Sequence, residues 1–535
     1  MSTFQLDECE VPFEPGDTVI RAAHRAGIDI PHYCWHPGLS VAANCRMCLV
    51  ELLPPPGRRA MMLDVLRWDA ESQQYVKEQK PKLVPACQQP VTAGMHVLSQ
   101  SSDHVTRARA AVQEMLLLNH PVDCPICDQA GECRLQDYWL SLGSNKKRML
   151  DEPVHKPKAV VFGPHIVYDA ERCIVCTRCV RVCEELAKDP VLTVVERGNL
   201  NEIAVAPGRQ LDHNYSLMTE VVCPVGALTS KEFRFKARVW FLRSVRSICV
   251  GCATGCNSFT DYDPRESRVH RYRPRENLAV NRHWMCDFGM LDYSRIYEGR
   301  ILEPRLDGEA VPRRVGLEKA AALLRDVPMG GLAILLGAEF SQEDNAALLT
   351  LGKKLNCTAF FESGRPSGVS DGILIHADKN PNSRGIRKLL GPNLQPIEEL
   401  MVGLSSGKIT HILALGSILK DTQHLEQLSQ LTTPIRIVLA SHDGPLGAGA
   451  KVVLPVCSWA ETEGTYVNAQ GLPQVSEQAV LPMGLSIPGW KWVSHIARAL
   501  GHDLSLGSAS DARRLFEHDS GAIVAESTAQ MGAQP

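Results

Sequence analysis

The sequence predicts a multidomain chain in which small α+β domains built around metal ligands fill roughly the first 300 residues and a larger α/β domain follows. Three observations carry this prediction. The 535 residues are several times the roughly 150 of an average domain, which suggests three or four domains. Fifteen of the 19 cysteines fall into groups before residue 290. From about Gly330, short apolar runs alternate with helical stretches, the rhythm of a mainly parallel sheet flanked by helices.

Composition excludes several classes. Lys+Arg number 57 against 60 Asp+Glu, and a net charge of −3 argues against a general nucleic-acid binder. No stretch reaches the ~18 uninterrupted apolar residues of a transmembrane helix, so membrane contact is expected only through partners. With 44% hydrophobic residues the chain is not mainly disordered, although Ser527 to Pro535 reads as a loose tail. The start MSTFQLDECE has neither a basic n-region nor an apolar h-region, and no Arg/Ser-rich leader. A bacterial cytoplasmic setting is expected, where cysteines serve as metal ligands in preference to disulfides.

The first domain, residues 1–100, opens strand-like and continues into a helix from Thr18 to Ala26, stopped by Gly27. Its candidate ligands are Cys34, Cys45, Cys48 and Cys87, spaced x10, x2 and x38. Three ligands in one loop and a fourth at a later strand end is how plant-type ferredoxins hold a [2Fe-2S] cluster, although their first gap is x4. Asn44 and Arg46 are expected to help the loop turn its amides toward the sulfurs. The long gap marks Pro54 to Pro81 as an excursion from the domain. A structural zinc site competes, but zinc usually takes two CxxC knuckles and only one is present.

In residues 101–150 an amphipathic helix is expected, with Ala108, Val112, Met115 and Leu116 on one face. NHPVDCPICDQAGEC then supplies His120, Cys124, Cys127 and Cys133. Read alone, His120 is either a ligand or a packed or capping residue. As a ligand, a neutral imidazole in place of a thiolate makes a cluster less negative and raises its potential. In residues 151–240, RCIVCTRCVRVC places Cys173, Cys176 and Cys179 at the spacing of a bacterial [4Fe-4S] loop, and VVCPVGAL supplies Cys223 beside a proline. No second CxxCxxC lies between Cys183 and Cys223, so Cys183 is expected to be a buried thiol. Residues 241–300 bring Cys249, Cys252, Cys256 and Cys286, spaced x2, x3 and x29, a set suited to [4Fe-4S] with zinc as the competitor. Cys9, Cys183, Cys357 and Cys457 remain outside the sets. Arg172, Arg178 and Arg181 lie beside the third set, and Lys231 to Arg246 carries six positive residues against Glu232 alone. Such charge either favours the reduced state of an anionic cluster or forms a solvated docking face. Arg265 to Arg275 is a second such run.

The strings PHYCWHP, NCRMCLVE, NHPVDCPICDQAGECRLQD, CIVCTRCVRVCEE and VVCPVGALTS occur in this order. On them, the chain resembles the large iron-sulfur subunit of respiratory complex I, the G subunit of bacterial NADH:quinone oxidoreductase, collinearly over residues 1 to about 290. The resemblance implies one [2Fe-2S] cluster on the first set, a [4Fe-4S] cluster on His120 and its three cysteines, and a [4Fe-4S] cluster on the third set. It also implies, as in some bacterial members, an off-pathway [4Fe-4S] cluster on the fourth. The implied partners are the flavin-containing NADH-oxidising subunit as donor, the two-cluster ferredoxin-like subunit as acceptor, and other subunits of the peripheral arm. Electrons would enter at the first set, pass to the third and then the second, at the cytoplasmic side of a bacterial inner membrane. Proton pumping would be performed elsewhere in the complex.

For residues 301–535 the expected strands are GGLAILLG, TAFFES, GILIHAD, THILALG and PIRIVLAS, with helices from Ser341 and near Pro396 and Thr422. KVVLPVCSWAETEGTYVNAQGLPQ resembles a segment of molybdopterin oxidoreductases. Only 286 residues follow Cys249, so a truncated, degenerate scaffold without molybdenum is expected. GPLGAG, Gly444 to Gly449, departs from GxGxxG and reads as a loop, so no NADH site is expected. The competing functions are the alpha subunit of an NAD-linked formate dehydrogenase, a soluble hydrogenase diaphorase subunit, and a non-redox zinc-binding interaction module.

Overall fold

The computed structural model describes residues 2–54, 62–143, 148–431 and 434–517, and the expected tail at 527–535 lies outside them. The described residues form two compact units, those up to Trp240 and those from Phe241 to 517.

The first unit begins with a five-stranded sheet, in the order Cys9–Phe13, Ser2–Leu6, His96–Leu98, Leu49–Leu53 and Leu83–Pro85. Alternating apolar residues put Phe4, Leu6, Val11, Val50 and Val97 into one core, which Ile20 and Ala23 of the helix Val19–Arg25 close. The helix ends where Gly27 takes φ +74°, a conformation that costs glycine little. The described part of the Pro54 to Pro81 excursion is a separate, exposed hairpin, Met62–Asp69 against Gln74–Pro81.

The helix Asp103–Leu117, capped by the Ser102 hydroxyl at the Val105 N–H, corrects the expected face. Met115 is exposed, and the buried side chains are Val105, Arg109 and Gln113. The polar pair goes inside with its terminal groups bonded, although the Arg109 Nε has no partner. Arg109 donates to the carbonyls of Leu49 and Ser99, and Gln113 takes the Tyr33 hydroxyl and gives to the Leu135 carbonyl. The helix Arg134–Leu142 follows, then the sheet Leu228–Ser230, Ile166–Tyr168, Val160–Val161 and the hairpin Leu192–Val195/Glu202–Val205.

The second unit opens with the antiparallel strands Arg243–Ile248, Asn257–Asp263 and Arg268–Pro274. A seven-stranded sheet follows, in the order Glu309–Ala310, Arg305–Leu306, Val452–Pro455, Ile435–Ala440, His411–Leu415, Leu332–Gly337 and Ala359–Ser363. Its last five strands are parallel, and Leu332–Gly337 is buried at every residue, as a strand covered on both faces must be. The expected helices appear as Gln342–Lys354, Ile397–Ser405 and Thr422–Gln430, and Gly444 to Gly449 is a loop. GILIHAD is not a strand. The Asp371 carboxylate accepts the N–H groups of Ile373, Leu374 and Ile375 and so curls the segment that its apolar residues alone would extend. Among the described residues no helix is long and apolar enough to cross a membrane.

Candidate metal centres

Local backbone builds each ligand set. Cys48 precedes the strand Leu49–Leu53 and Cys87 follows Leu83–Pro85; Leu49 pairs with Pro85, and the Ala86 N–H donates to the Cys48 carbonyl at 2.8 Å. The 38 intervening residues therefore leave and return at one place, and the Cys48 and Cys87 thiols meet in a hydrogen bond. Cys34 and Cys45 meet likewise, with the N–H groups of Asn44 and Cys45 aimed at the Cys34 sulfur. Left-handed φ at Ala43 and Arg46, +50° and +58°, turns the loop inward, and the Arg46 guanidinium locks it on the Ala43 carbonyl. In both pairs the donating S–H holds its partner's pKa down while the donor itself is pushed up. Four largely buried thiols that satisfy one another fit a cluster, which would replace the shared protons.

In the second set, Cys124 and Cys127 lie on one tight turn, with Cys127 N–H to Cys124 C=O at 3.1 Å, and Cys133 caps the helix Arg134–Leu142. The N–H groups of Leu135 and Gln136 point at the Cys133 sulfur, which burial pushes up to about 11. His120, Cys124 and Cys133 line one cavity of about 350 Å³. The His120 imidazole is held neutral, its pKa moved down to about 4 chiefly by burial, and its Nδ1 is buried without a hydrogen-bond partner. An orphaned, neutral imidazole nitrogen is the state a metal ligand requires. His120→Cys is expected to keep a cluster and lower its potential, because a thiolate adds one negative charge. An unchanged potential in an EPR-monitored titration would remove His120 from the set.

The third set encloses a small cavity lined by all four sulfurs, Tyr168 and Val225. Val175 and Thr177 adopt φ +50° and +61°, costly for β-branched residues, and the Val175 N–H reaches the Cys173 sulfur at 3.3 Å. The Tyr168 hydroxyl also donates to Cys173, and the N–H groups of Val225, Ala227 and Leu228 face Cys223. Burial pushes Cys173, Cys176 and Cys223 up to about 11, so that without a metal these thiols stay protonated. Cys183 is fully buried outside this cavity, 3.4 Å from His213 Nε2.

The fourth set lies in the second unit. Cys249 and Cys256 close the turn between the strands Arg243–Ile248 and Asn257–Asp263, and Cys286 caps the helix Asp287–Leu291. The N–H groups of Gly251 and Gly289 point at Cys249 and Cys286. A Cβ on Gly289 would stand 2.9 Å from the Cys249 sulfur, so backbone is brought against the sulfurs where only glycine fits. Among the described residues no three or more His, Cys, Asp or Glu side chains converge as on a single metal ion.

Three fastenings were not legible in the ligand spacing. Gly226 packs its backbone against Cys127, where a Cβ would lie 2.4 Å from the sulfur. The Arg134 N–H, next to Cys133, donates to the carbonyl of Pro224, next to Cys223, at 3.1 Å. Arg238, from the basic run after Lys231, donates to the carbonyls of Pro125 and Cys127. The second basic run is largely neutralised within its own hairpin: Arg271 and Arg273 reach Asp261, and Arg265 reaches Asp263.

Residues 1–102 match the family described as 2Fe-2S iron-sulfur cluster binding domain, and 109–148 the NADH-ubiquinone oxidoreductase-G iron-sulfur binding region. Residues 163–229 match NADH-quinone oxidoreductase subunit 3, ferredoxin-like domain, and 390–499 match molybdopterin oxidoreductase. The NADH-quinone oxidoreductase G subunit of Rickettsia felis is 29% identical, over 96% of this chain and 90% of that protein. The mitochondrial NADH dehydrogenase [ubiquinone] iron-sulfur protein 1 of Solanum tuberosum is 35% identical over 67% of this chain and 45% of its own length. Among solved structures, an NAD+-reducing [NiFe]-hydrogenase chain in the H2-reduced state matches 44% of this chain and 91% of its own, at 30% identity and a TM-score of 0.36.

Proposed function

Since the chain belongs to the family of NADH-quinone oxidoreductase G subunits, we propose that it is the electron-relay subunit of such a complex, carrying electrons from the NADH-oxidising subunit toward quinone. The observation that carries this reading is that three ligand sets are fastened directly to one another. The first joins the third through Arg181, which donates to the carbonyls of both Cys34 and Cys176, and the third joins the second through Arg134 N–H to Pro224. A structural metal domain has no need of such linkage. A relay does, because electron transfer between centres falls steeply with distance.

The proposed ligands are Cys34, Cys45, Cys48 and Cys87 for one [2Fe-2S] cluster. Three [4Fe-4S] clusters are assigned to His120, Cys124, Cys127 and Cys133; to Cys173, Cys176, Cys179 and Cys223; and to Cys249, Cys252, Cys256 and Cys286. When bound, the clusters supply one-electron redox centres. The chain's own residues hold them, exclude water by burial, and aim N–H groups at the sulfurs. The proposed donor is the flavin-containing subunit and the acceptor the two-cluster ferredoxin-like subunit, with other peripheral-arm subunits alongside, at the cytoplasmic side of a bacterial inner membrane. The α/β domain is proposed to carry no molybdenum.

The test is the iron, acid-labile sulfide, molybdenum and zinc content of anaerobically purified protein. Four filled sites predict about 14 iron per chain. About one molybdenum would move the assignment to a formate-type dehydrogenase, and zinc in place of iron would end the relay reading.

A further inference from the structure

The two junctions that link the ligand sets of the first unit differ in charge. Between the second and third sets, Arg172 is paired with Asp123 at 2.6 Å and Asp169 at 3.5 Å, and Lys158 with Glu171 at 2.7 Å. Three carboxylates there pair with these two cations, and the half-buried Arg234 and Arg238 line the same cavity. Between the first and third sets, Arg178 and Arg181 are 5% and 7% exposed, and among the described residues neither has a carboxylate within ion-pair distance. Backbone carbonyls alone receive them. Arg181 donates to Cys34 at 2.6 Å, to Cys176 and Thr177 at 3.3 Å, and to Ser40. Arg178 donates to Val222 at 3.1 Å and to Trp35, the neighbours of Cys223 and Cys34. Of the two acids that follow, Glu184 and Glu185, the second is engaged by the Ser40 amide and hydroxyl.

Burying two guanidinium ions without counter-ions costs several kcal/mol each unless an anion arrives to compensate. Thiolate-ligated clusters on both sides would be that anion, and an added electron makes each more negative. We propose that Arg178 and Arg181 form a shared cationic bridge that raises the electron affinity of the first and third sets together, and leaves that of the His120 set largely untouched. The bridge rests on the ligand assignment above. It assigns the two arginines a role in setting potentials, beyond holding the loops together.

The experiment is a mediated redox titration, by EPR, of the full chain purified anaerobically, unsubstituted and as Arg181→Gln, Arg181→Lys and Arg178→Gln. Glutamine removes the charge and, being shorter, the Nη2 bonds to the Cys34 and Cys176 carbonyls, whereas lysine keeps the charge and loses the guanidinium fork, so the two variants together separate charge from those bonds. In Arg181→Gln the potentials of both the [2Fe-2S] signal and the signal of the third set are expected to fall by about tenfold in reduction equilibrium, 59 mV for one electron. The signal that His120→Cys moves is expected to stay, and Arg181→Lys to keep both potentials close to those of the unsubstituted chain. Should Arg181→Gln assemble no clusters, Arg178→Gln must lower the same two potentials. A shift of one set alone, of neither, or of the His120 set equally would overturn the bridge. If the unsubstituted chain shows neither signal, the ligand assignment falls and the bridge with it.

Discussion

Gly226→Ala is expected to empty the second ligand set while leaving the first, third and fourth filled. The new Cβ would stand 2.4 Å from the Cys127 sulfur and 2.9 Å from the Gln129 Cβ, closer than non-bonded atoms approach. One side has to move. The Gly226 loop is pinned on both flanks: Arg134 and Arg178 hold Pro224 and Val222, and Leu228–Ser230 is registered against Ile166–Tyr168. The Cys127 turn is held by one Cys124 carbonyl and otherwise through side chains, by Arg238, by Asp128 on the Phe235 N–H and by Arg172 on Asp123, so it is the side that yields. Losing its geometry by an ångström or more releases a cluster ligand, and iron should fall from about 14 to about 10 per chain. The signal that His120→Cys identifies should vanish with it. Unchanged iron, together with an unmoved signal, would show that Gly226 does not shape this set.

What the sequence made legible, and what it hid, follows from how far apart the deciding residues are. CxxC turns, the helix stopped at Gly27 and the fully apolar strand Leu332–Gly337 depend on neighbours within a few positions, so their spacing shows in the string. The mainly parallel sheet was legible for the same reason. The helix Asp103–Leu117 misled because its apolar period competes with long-range hydrogen bonds: Arg109 and Gln113 are buried by carbonyls and a hydroxyl from distant segments. GILIHAD misled because one upstream carboxylate, Asp371, outweighs the β-propensity of three apolar residues.

In the candidate site the ligand residues could be named from local motifs, but their mutual arrangement could not. Nothing in CIVCTRCVRVC says that Arg181 reaches back to Cys34, 147 positions earlier, or that Arg172 is neutralised while Arg178 is not. Gly226 left one faint signal, a glycine three residues after Cys223 in VVCPVGAL, which reads as a turn residue until the facing sulfur is known. The basic run from Lys231 read either as charge favouring a reduced cluster or as a docking face, yet Arg238 and Lys231 clamp the carbonyls of Cys127 and Gly163.

Glu461→Gln is expected to cost the second unit about 3–5 kcal/mol, because it breaks a buried ion pair from one side only. Glu461 lies in the string SWAETEG that resembles molybdopterin oxidoreductases, and its role here is to hold the unit together. Its side chain is 0% exposed and that of Arg300 is 2%, with Arg300 Nη2 to Glu461 Oε2 at 2.6 Å. Both carboxylate oxygens are used twice, since the Ser458 N–H donates to Oε2 at 2.7 Å and the Met483 N–H to Oε1 at 2.9 Å. Arg300 in turn donates to the carbonyls of Ile296 and Ser441, so four separate segments meet at this pair. A glutamine amide would turn its NH2 toward a donor whichever way it faced, and leave a buried guanidinium uncompensated. Replacing both partners by apolar residues, often neutral for an isolated buried pair, should still destabilise here. It would strand the Ser458 and Met483 N–H groups at about 1–3 kcal/mol each. Denaturant unfolding of the full chain, followed by tryptophan fluorescence, checks this through Trp459, Trp490 and Trp492 of this unit. A transition within about 1 kcal/mol of the unsubstituted chain, against the 3–5 kcal/mol of a broken buried pair, would refute the reading.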